Sequence, residues 1–402
     1  MSMRVIVVGG GYAGLRAVQR LGKLPEFSVT LVEPRKEHVL RTRLVSSAVQ
    51  RRPIKEVLVP FEEVLPKGIQ WIREPAVSFD PELGTVATDR ITLTGERILL
   101  CTGAVGKRNI PGAEKYGFSP YSLEDCRQIL HYWSELQKQI DRQKCDALAL
   151  RWVVVGGGTT GVELAAELAH LARRWRSRYK GQAGAIQVHL IHEGTQLLQG
   201  WRTSLSDWVL RWLEKHQVVV HLETKVRRAR PDYLVLERKG ETSQLDTRSV
   251  FWSMGTEPHR LEEELDGLRD EAGFCRVDSS LRLVDYPKVY GLGGNILAQD
   301  TAIGKVFSAS AQLAVQQAEW TIQNLQREVR EQDPLAYIPE VRRQSLSLGA
   351  FDGVAMLDEQ DLVDTAGWTA AQAEDLLYRN SIQLVLPALT APIRPGTRDK
   401  EP

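Results

Sequence analysis

The sequence predicts an α/β protein with two Rossmann-like dinucleotide-binding domains, one of them discontinuous, and a small C-terminal region. Three observations predict it. Two glycine fingerprints, Gly9-Gly10-Gly11-Tyr12-Ala13-Gly14 and Gly156-Gly157-Gly158-Thr159-Thr160-Gly161, stand about 150 residues apart. Each closes a short apolar run, Val5–Val8 and Trp152–Val155. The chain of 402 residues, 43% hydrophobic and 26% charged, is long enough for two or three domains with their own cores.

The elements follow in order. Residues 1–35 read as strand, glycine turn, helix (Leu15–Leu24) and second strand (Ser28–Glu33). Residues 69–100 alternate apolar and polar positions between turn signals, as a β-meander does. Arg97–Gly103 is a buried strand running into a small-residue turn. A helix from Ser122 to about Gln143 leads to a second strand–turn–helix unit. Its helix spans about Val162–Tyr179 and its next strand Gln187–Glu193. A further helix (Ser204–Lys215), a strand (Val218–His221) and a hairpin near 232–245 follow. Val250–Gly255 closes this unit as Ile98–Gly103 closes the first, an internal repeat of architecture. Val289–Asn295 reads as a strand ending in a glycine turn, with a helix beginning near Ser308. The expected boundaries are 1–145 and 271–325 for the first domain, 146–270 for the second and 326–402 for the C-terminal region.

Bulk composition removes several classes. A net charge of +1 gives no global pull toward nucleic acid or anionic lipid. Four scattered cysteines are too few for a disulfide framework and fit a reducing compartment. A strand starting at Arg4 leaves no room for a signal peptide. No run of 18 apolar residues is present, so no transmembrane helix is expected. The expected location is cytoplasmic, with any membrane contact peripheral.

The fingerprints carry the chemistry. Gly9 makes the tight turn, Gly11 admits a pyrophosphate close to the backbone, and Gly14 lets the helix sit against the strand. The helix then offers free N–H groups and its positive end to phosphate. Glu33, 19 residues after Gly14, is placed to accept from a ribose diol. Gly156, Gly158, Thr160 and Gly161 repeat the pattern. There the strand ends at His192-Glu193, and a carboxylate at Glu193 favours NADH over NADPH. The spacing from Gly161 to Glu193 is 32 residues, longer than usual, and His192 is an alternative ribose contact. Glu163 lies in the first turn of the second helix, either as a dipole-favoured carboxylate or as a group beside the nicotinamide. Two dinucleotides on one chain point to a flavin and a nicotinamide exchanging hydride.

The order of these motifs resembles the type II NADH:quinone oxidoreductases, the non-proton-pumping NADH dehydrogenases, among the two-dinucleotide flavoproteins. The resemblance covers about residues 4–325. It rests on the first fingerprint, Thr102-Gly103, the run Gly156–Leu168, Trp252-Ser253-Met254-Gly255, and Ala311-Gln312-Leu313-Ala314-Val315-Gln316-Gln317. Ser347-Leu348-Gly349 and Gly353-Val354-Ala355 are similar to the cyanobacterial and plastid branch. The resemblance implies FAD and NADH as cofactors and a quinone as acceptor. It places Gln312 and Gln316, one turn apart, at the quinone and flavin pocket, and gives Glu163 a part in proton or charge transfer. Thr102, Gly103, Gly255, Gly293, Gly294 and Asn295 complete the implied cofactor contacts.

The chain departs from the family at Gly293-Gly294, where an aspartate usually follows the first glycine, leaving Asn295 as the nearest substitute. Arg41-Thr42-Arg43-Leu44-Val45 replaces the family's Pro-Leu-Leu segment. Residues 34–60 hold no cysteine, which excludes a disulfide reductase. The rivals that remain are a non-catalytic flavoprotein or NADH-binding subunit, and a ferredoxin-reductase-like or apoptosis-inducing-factor-like NADH oxidoreductase. The C-terminal region, with Trp368–Tyr378 and the apolar Ser381–Leu389, is the expected membrane or homodimer contact. Trp175 and Trp201 read as core residues or as marks of a partner surface.

Overall fold

The computed structural model describes residues 2–372 apart from positions 51, 180, 182–184, 260, 262–267, 301–304, 308, 342, 358–359 and 365. The chain forms two compact units. One holds residues 1–40, 58–105 and 256–341; the other holds 41–57, 106–255 and 342–402.

The first unit is built on a six-stranded sheet. Its parallel order is Gln70–Ile72, Phe27–Val32, Met3–Val8, Arg97–Leu100 and Tyr286–Gly291, with the short antiparallel strand Arg282–Leu283 on the edge. Val5–Val8 are at most 3% exposed and Ile98, Leu99 and Leu100 are fully buried, as strands covered on both faces require. Met3–Val8 pairs with Phe27–Val32 on one side and with Arg97–Leu100 on the other. The chain therefore reverses direction across the sheet at Met3–Val8, and the carboxyl end of that strand is the topological switch point where open α/β sheets bind ligands. Helices Tyr12–Leu21 and Ala311–Val329 pack together, with Arg16 and Arg20 both on Glu319. The alternating segment 69–100 divides its strands. Ser78–Asp80, Thr85–Ala87 and Thr92–Thr94 form an antiparallel meander, while Gln70–Ile72 and Arg97–Leu100 join the main sheet.

The second unit repeats the plan. Its parallel order is Val218–His221, Gln187–Ile191, Arg151–Val155, Ser249–Trp252, again reversing at the strand that precedes the glycines. An antiparallel sheet of Thr224–Ala229, Tyr233–Arg238 and Glu241–Asp246 adds Val226, Leu234 and Leu236 to a core shared with Val153, Ile191 and Trp252. Trp133, Trp152 and Trp175 interlock, with Trp133 and Trp152 centroids 4.8 Å apart. Trp175 and Trp201 are 4% and 8% exposed, so both are core residues here.

Segment 41–57 belongs to this second unit, where Ala48 accepts from the Trp133 indole at 2.8 Å. So do Arg343–Leu348, Asp352–Leu357 and Gln360–Val363, a small sheet whose Asp352 accepts from Trp212 at 2.9 Å. No helix among the described residues is long and apolar enough to cross a membrane. The apolar stretch Ser381–Leu389 lies outside the described residues.

Candidate functional site

The two glycine loops have the same construction. Gly9 has φ +97° and Gly156 φ +119°, which a side chain rarely tolerates. Gly9 N–H donates to Val32 at 2.9 Å and Gly156 N–H to Ile191 at 2.8 Å, each tying the turn to the neighbouring strand. A methyl on Gly14 would overlap the Gly9 carbonyl oxygen, and one on Gly161 would overlap that of Gly156. The helix can approach the strand this closely only at glycine. Gly11 and Gly158 differ from these, since nothing lies within 4 Å of where a side chain would start. They cap their helices with no side-chain hydrogen bond, whereas Ser122 and Ser310 cap Leu123–Asp141 and Ala311–Val329 through their hydroxyls. First-turn N–H groups without a side-chain cap beside open space suit a phosphate.

In the first unit this cradle is completed by Glu33, which is 2% exposed. Its carboxylate accepts from Gly10 N–H at 2.6 Å and from Arg35 through the backbone and both arms of the guanidinium, at 2.8–2.9 Å. Burial alone would raise the Glu33 pKa. The Arg35 hydrogen bonds and charge and the Gly10 N–H outweigh it and hold the carboxyl below its usual range. His38 lies under the same loop, Nδ1 2.9 Å from the Gly10 carbonyl and edge-on to Tyr12. Burial pushes its pKa down to about 4, so the ring is neutral and Nδ1–H donates to Gly10. Ala13 is buried behind the helix start.

In the second unit the residue that bonds the loop is a histidine. Gly157 N–H donates to His192 Nδ1 at 3.2 Å, as Gly10 does to Glu33. Glu193 is one residue further on, 68% exposed, and 3.7 Å from Lys225. Thr160, at the start of the helix, bonds the Tyr121 hydroxyl, and the Gly255 backbone bonds it too. Burial raises the Tyr121 pKa, so this phenol stays protonated. Tyr121 was not legible as a site residue, since no motif or periodicity marks it. Glu163 is half-buried in the first turn of the same helix.

The remaining candidates spread over the two units. Thr102, Gly103, Gly293, Gly294, Asn295, Gln312 and Gln316 lie in the first, while Glu163 and Gly255 lie in the second. Asn295 is fully buried and its amide donates to the Leu100 carbonyl at 2.9 Å, clamping the turn to the sheet. Gly294 is packed so that a Cβ would stand 2.9 Å from Ala104 Cβ and 3.2 Å from Ala104 N. Gln316 exchanges hydrogen bonds with the Glu340 backbone at 2.7 and 3.3 Å, and Gln312 is half-buried. The glutamine that reaches the glycine turn is Gln317, 1% exposed, accepting from Gly293 N–H at 2.7 Å. The glutamine motif contains it, one residue past Gln316 and so about 100° round the helix from the face that Gln312 and Gln316 share. All four cysteines are buried and none is in a disulfide, and burial pushes the thiols of Cys101, Cys126 and Cys145 up, the last two to about 11. Among the described residues no cluster of acidic, histidine and cysteine side chains could hold a metal.

Residues 3–318 match the family model of the pyridine nucleotide-disulphide oxidoreductases. A type II NADH:quinone oxidoreductase of Staphylococcus saprophyticus is 24% identical over 367 residues, 89% of this chain and 90% of that protein. The solved structure of NDH2 from Plasmodium falciparum in complex with NADH superposes with a TM-score of 0.85 at 16% identity, covering 96% of this chain and 97% of that one. The sulfide:quinone oxidoreductase of Aquifex aeolicus superposes with a TM-score of 0.80 at 18% identity, over 95% and 92% of the two chains.

Proposed function

Since the chain belongs to the pyridine nucleotide-disulphide oxidoreductase family, we propose that it is an NADH dehydrogenase of the quinone-reducing kind, working with FAD as its bound cofactor. The observation that carries this reading is the pair of matched cradles, each with a glycine-capped helix start open to a phosphate. The similarity to a type II NADH:quinone oxidoreductase over nearly the whole of both chains supports the quinone as acceptor. The disulfide chemistry in the family's name has no support here, because the four thiols are buried, scattered over the fold and in no disulfide.

The residues present fit FAD in the first unit. Gly11 and the first-turn N–H groups would hold the pyrophosphate, and Glu33 would accept from the adenosine ribose. Two of the bonds now on Glu33 come from the half-exposed Arg35 side chain, the part of its shell that a ligand hydroxyl would replace. Gln317 holds the Gly293 turn rigid beside the fingerprint helix. In the second unit Gly158 and the helix start would hold the NADH pyrophosphate, and Tyr121 fixes Thr160 against Gly255. Bound FAD supplies the redox chemistry, accepting a hydride and passing electrons to the acceptor.

A second reading, a nucleotide-binding protein with a weak hold on flavin, rests on Gly294 and on the inward-turned Asn295. Rapid mixing tests the quinone assignment. The NADH-reduced protein should return to the oxidised spectrum on mixing with a short-chain quinone. Reoxidation by a one-electron protein acceptor but not by quinone would remove the quinone assignment.

A further inference from the structure

The two cradles differ in the side chain that bonds the glycine loop, and the difference bears on which nucleotide the second one takes. In the first, the side chain that bonds the glycine loop is a carboxylate with lone pairs to spare once the half-exposed Arg35 arm is moved aside. In the second it is His192. Because Nδ1 accepts from Gly157 N–H, the neutral ring carries its hydrogen on Nε2. The ring also bonds the Gln196 backbone, and burial lowers its pKa, with Glu193 and that backbone bond pulling the other way. The His192 ring has no acceptor left for a ribose hydroxyl, and it sets a neutral group where Glu33 sets a carboxylate in the first cradle.

The surroundings add cations. Thr224 N–H donates to the His192 carbonyl at 2.9 Å and Glu223 N–H to the Gly194 carbonyl at 2.9 Å, so the strand Thr224–Ala229 starts alongside the loop. Lys225 is the next residue, half exposed, 3.7 Å from Glu193. Arg227 stands two residues along, where the strand's pairing is irregular, exposed and paired with Glu237 at 2.7 Å. The acid nearest the loop, Glu193, is 68% exposed and already faces an ammonium. Its repulsion of a phosphate is screened by water and offset by Lys225.

We infer that His192 and Lys225 make the second cradle tolerant of a 2′-phosphate, so that it binds NADPH about as well as NADH. The inference rests on the assignment of this cradle to a nicotinamide nucleotide. It extends that assignment by naming the residues that set the choice at the ribose.

The test uses the FAD-loaded protein and isothermal titration with two probes lacking the nicotinamide, ADP-ribose and 2′-phospho-ADP-ribose. Their dissociation constants should agree within about fivefold. Lys225→Ala should weaken the phosphorylated probe about tenfold, the loss of one charged contact, and leave the other within twofold. His192→Glu should restore discrimination, weakening the phosphorylated probe at least about thirtyfold relative to ADP-ribose. Wild-type protein that binds ADP-ribose a hundredfold more tightly than its 2′-phosphate overturns the inference. So does a Lys225→Ala protein that binds both probes unchanged. Binding of neither probe to the wild-type protein withdraws the nicotinamide cradle itself, and this inference with it.

Discussion

Alanine at Gly11 and alanine at Gly14 should separate binding from folding. The added atoms are the same and the positions are three residues apart, but the space around them is opposite in kind. A methyl on Gly14 would overlap the Gly9 carbonyl oxygen and stand 3.2 Å from Cys101 Cβ. The helix has nowhere to retreat, since Leu15, Ala17, Val18 and Leu21 are buried behind it. Overpacking of this kind costs about 1–3 kcal/mol. For a unit of this size that lowers the melting temperature by about 2–12 °C. Gly11 has φ −68° and ψ −167°, which alanine adopts freely, and no atom lies within 4 Å. Its cost to stability is that of alanine against glycine as a helix cap, below about 1 kcal/mol. The methyl does stand in the space where a phosphate must meet the helix N–H groups. Losing one hydrogen bond to a charged oxygen is worth about 1.5–3 kcal/mol, or about tenfold to a hundredfold in affinity. Thermal melts of the apoprotein and FAD titration by fluorescence quenching measure both quantities. The reasoning is refuted if Gly11→Ala binds FAD like the wild type, or if Gly14→Ala melts unchanged.

Other outcomes follow from the same geometry. Gln317→Leu removes the partner of the half-buried Gly293 N–H, and should cost about 0.5–1.5 kcal/mol in urea unfolding while loosening FAD retention. Gly294→Asp, which restores the acid found in the family, should destabilise the first unit because its Cβ meets Ala104; tighter FAD binding with an unchanged melt would show that the space exists. His38 is neutral in the fold, with a pKa of about 4 against 6.5 when unfolded. The unfolded chain therefore takes up a proton that the folded chain refuses, and stability should fall by up to about 1.4 kcal/mol per pH unit from pH 6.5 down to 4. Urea unfolding across that range should show a shallower slope for His38→Asn than for the wild type; equal slopes would place the titration elsewhere.

The architecture was legible in the sequence because it is written in local signals. Strand Val5–Val8, the glycines and Glu33 report one βαβ unit through spacing alone, and the carboxylate does bond the loop it was matched to. The second unit was legible for the same reason up to the end of its second strand. There the choice between His192 and Glu193 depended on where strand Gln187–Ile191 stops, and a shift of one residue decides which side chain meets the loop. Contacts made across long sequence separations left no local trace. Tyr121 reaches Thr160 and Gly255 from a loop with no motif, and segment 41–57 packs on Trp133 and Arg174, more than 70 residues away along the chain. Gln317 was hidden because a helix turns its face by about 100° with each residue, so neighbours in the glutamine motif point to different surroundings.

The central claim is that this chain holds FAD and reduces it with NADH, and one anaerobic titration tests it most directly. The purified protein should show flavin absorption in the visible range, and stepwise NADH should bleach it with one equivalent per flavin. A protein that stays colourless in excess FAD, or a bound flavin that NADH leaves oxidised, would contradict the account.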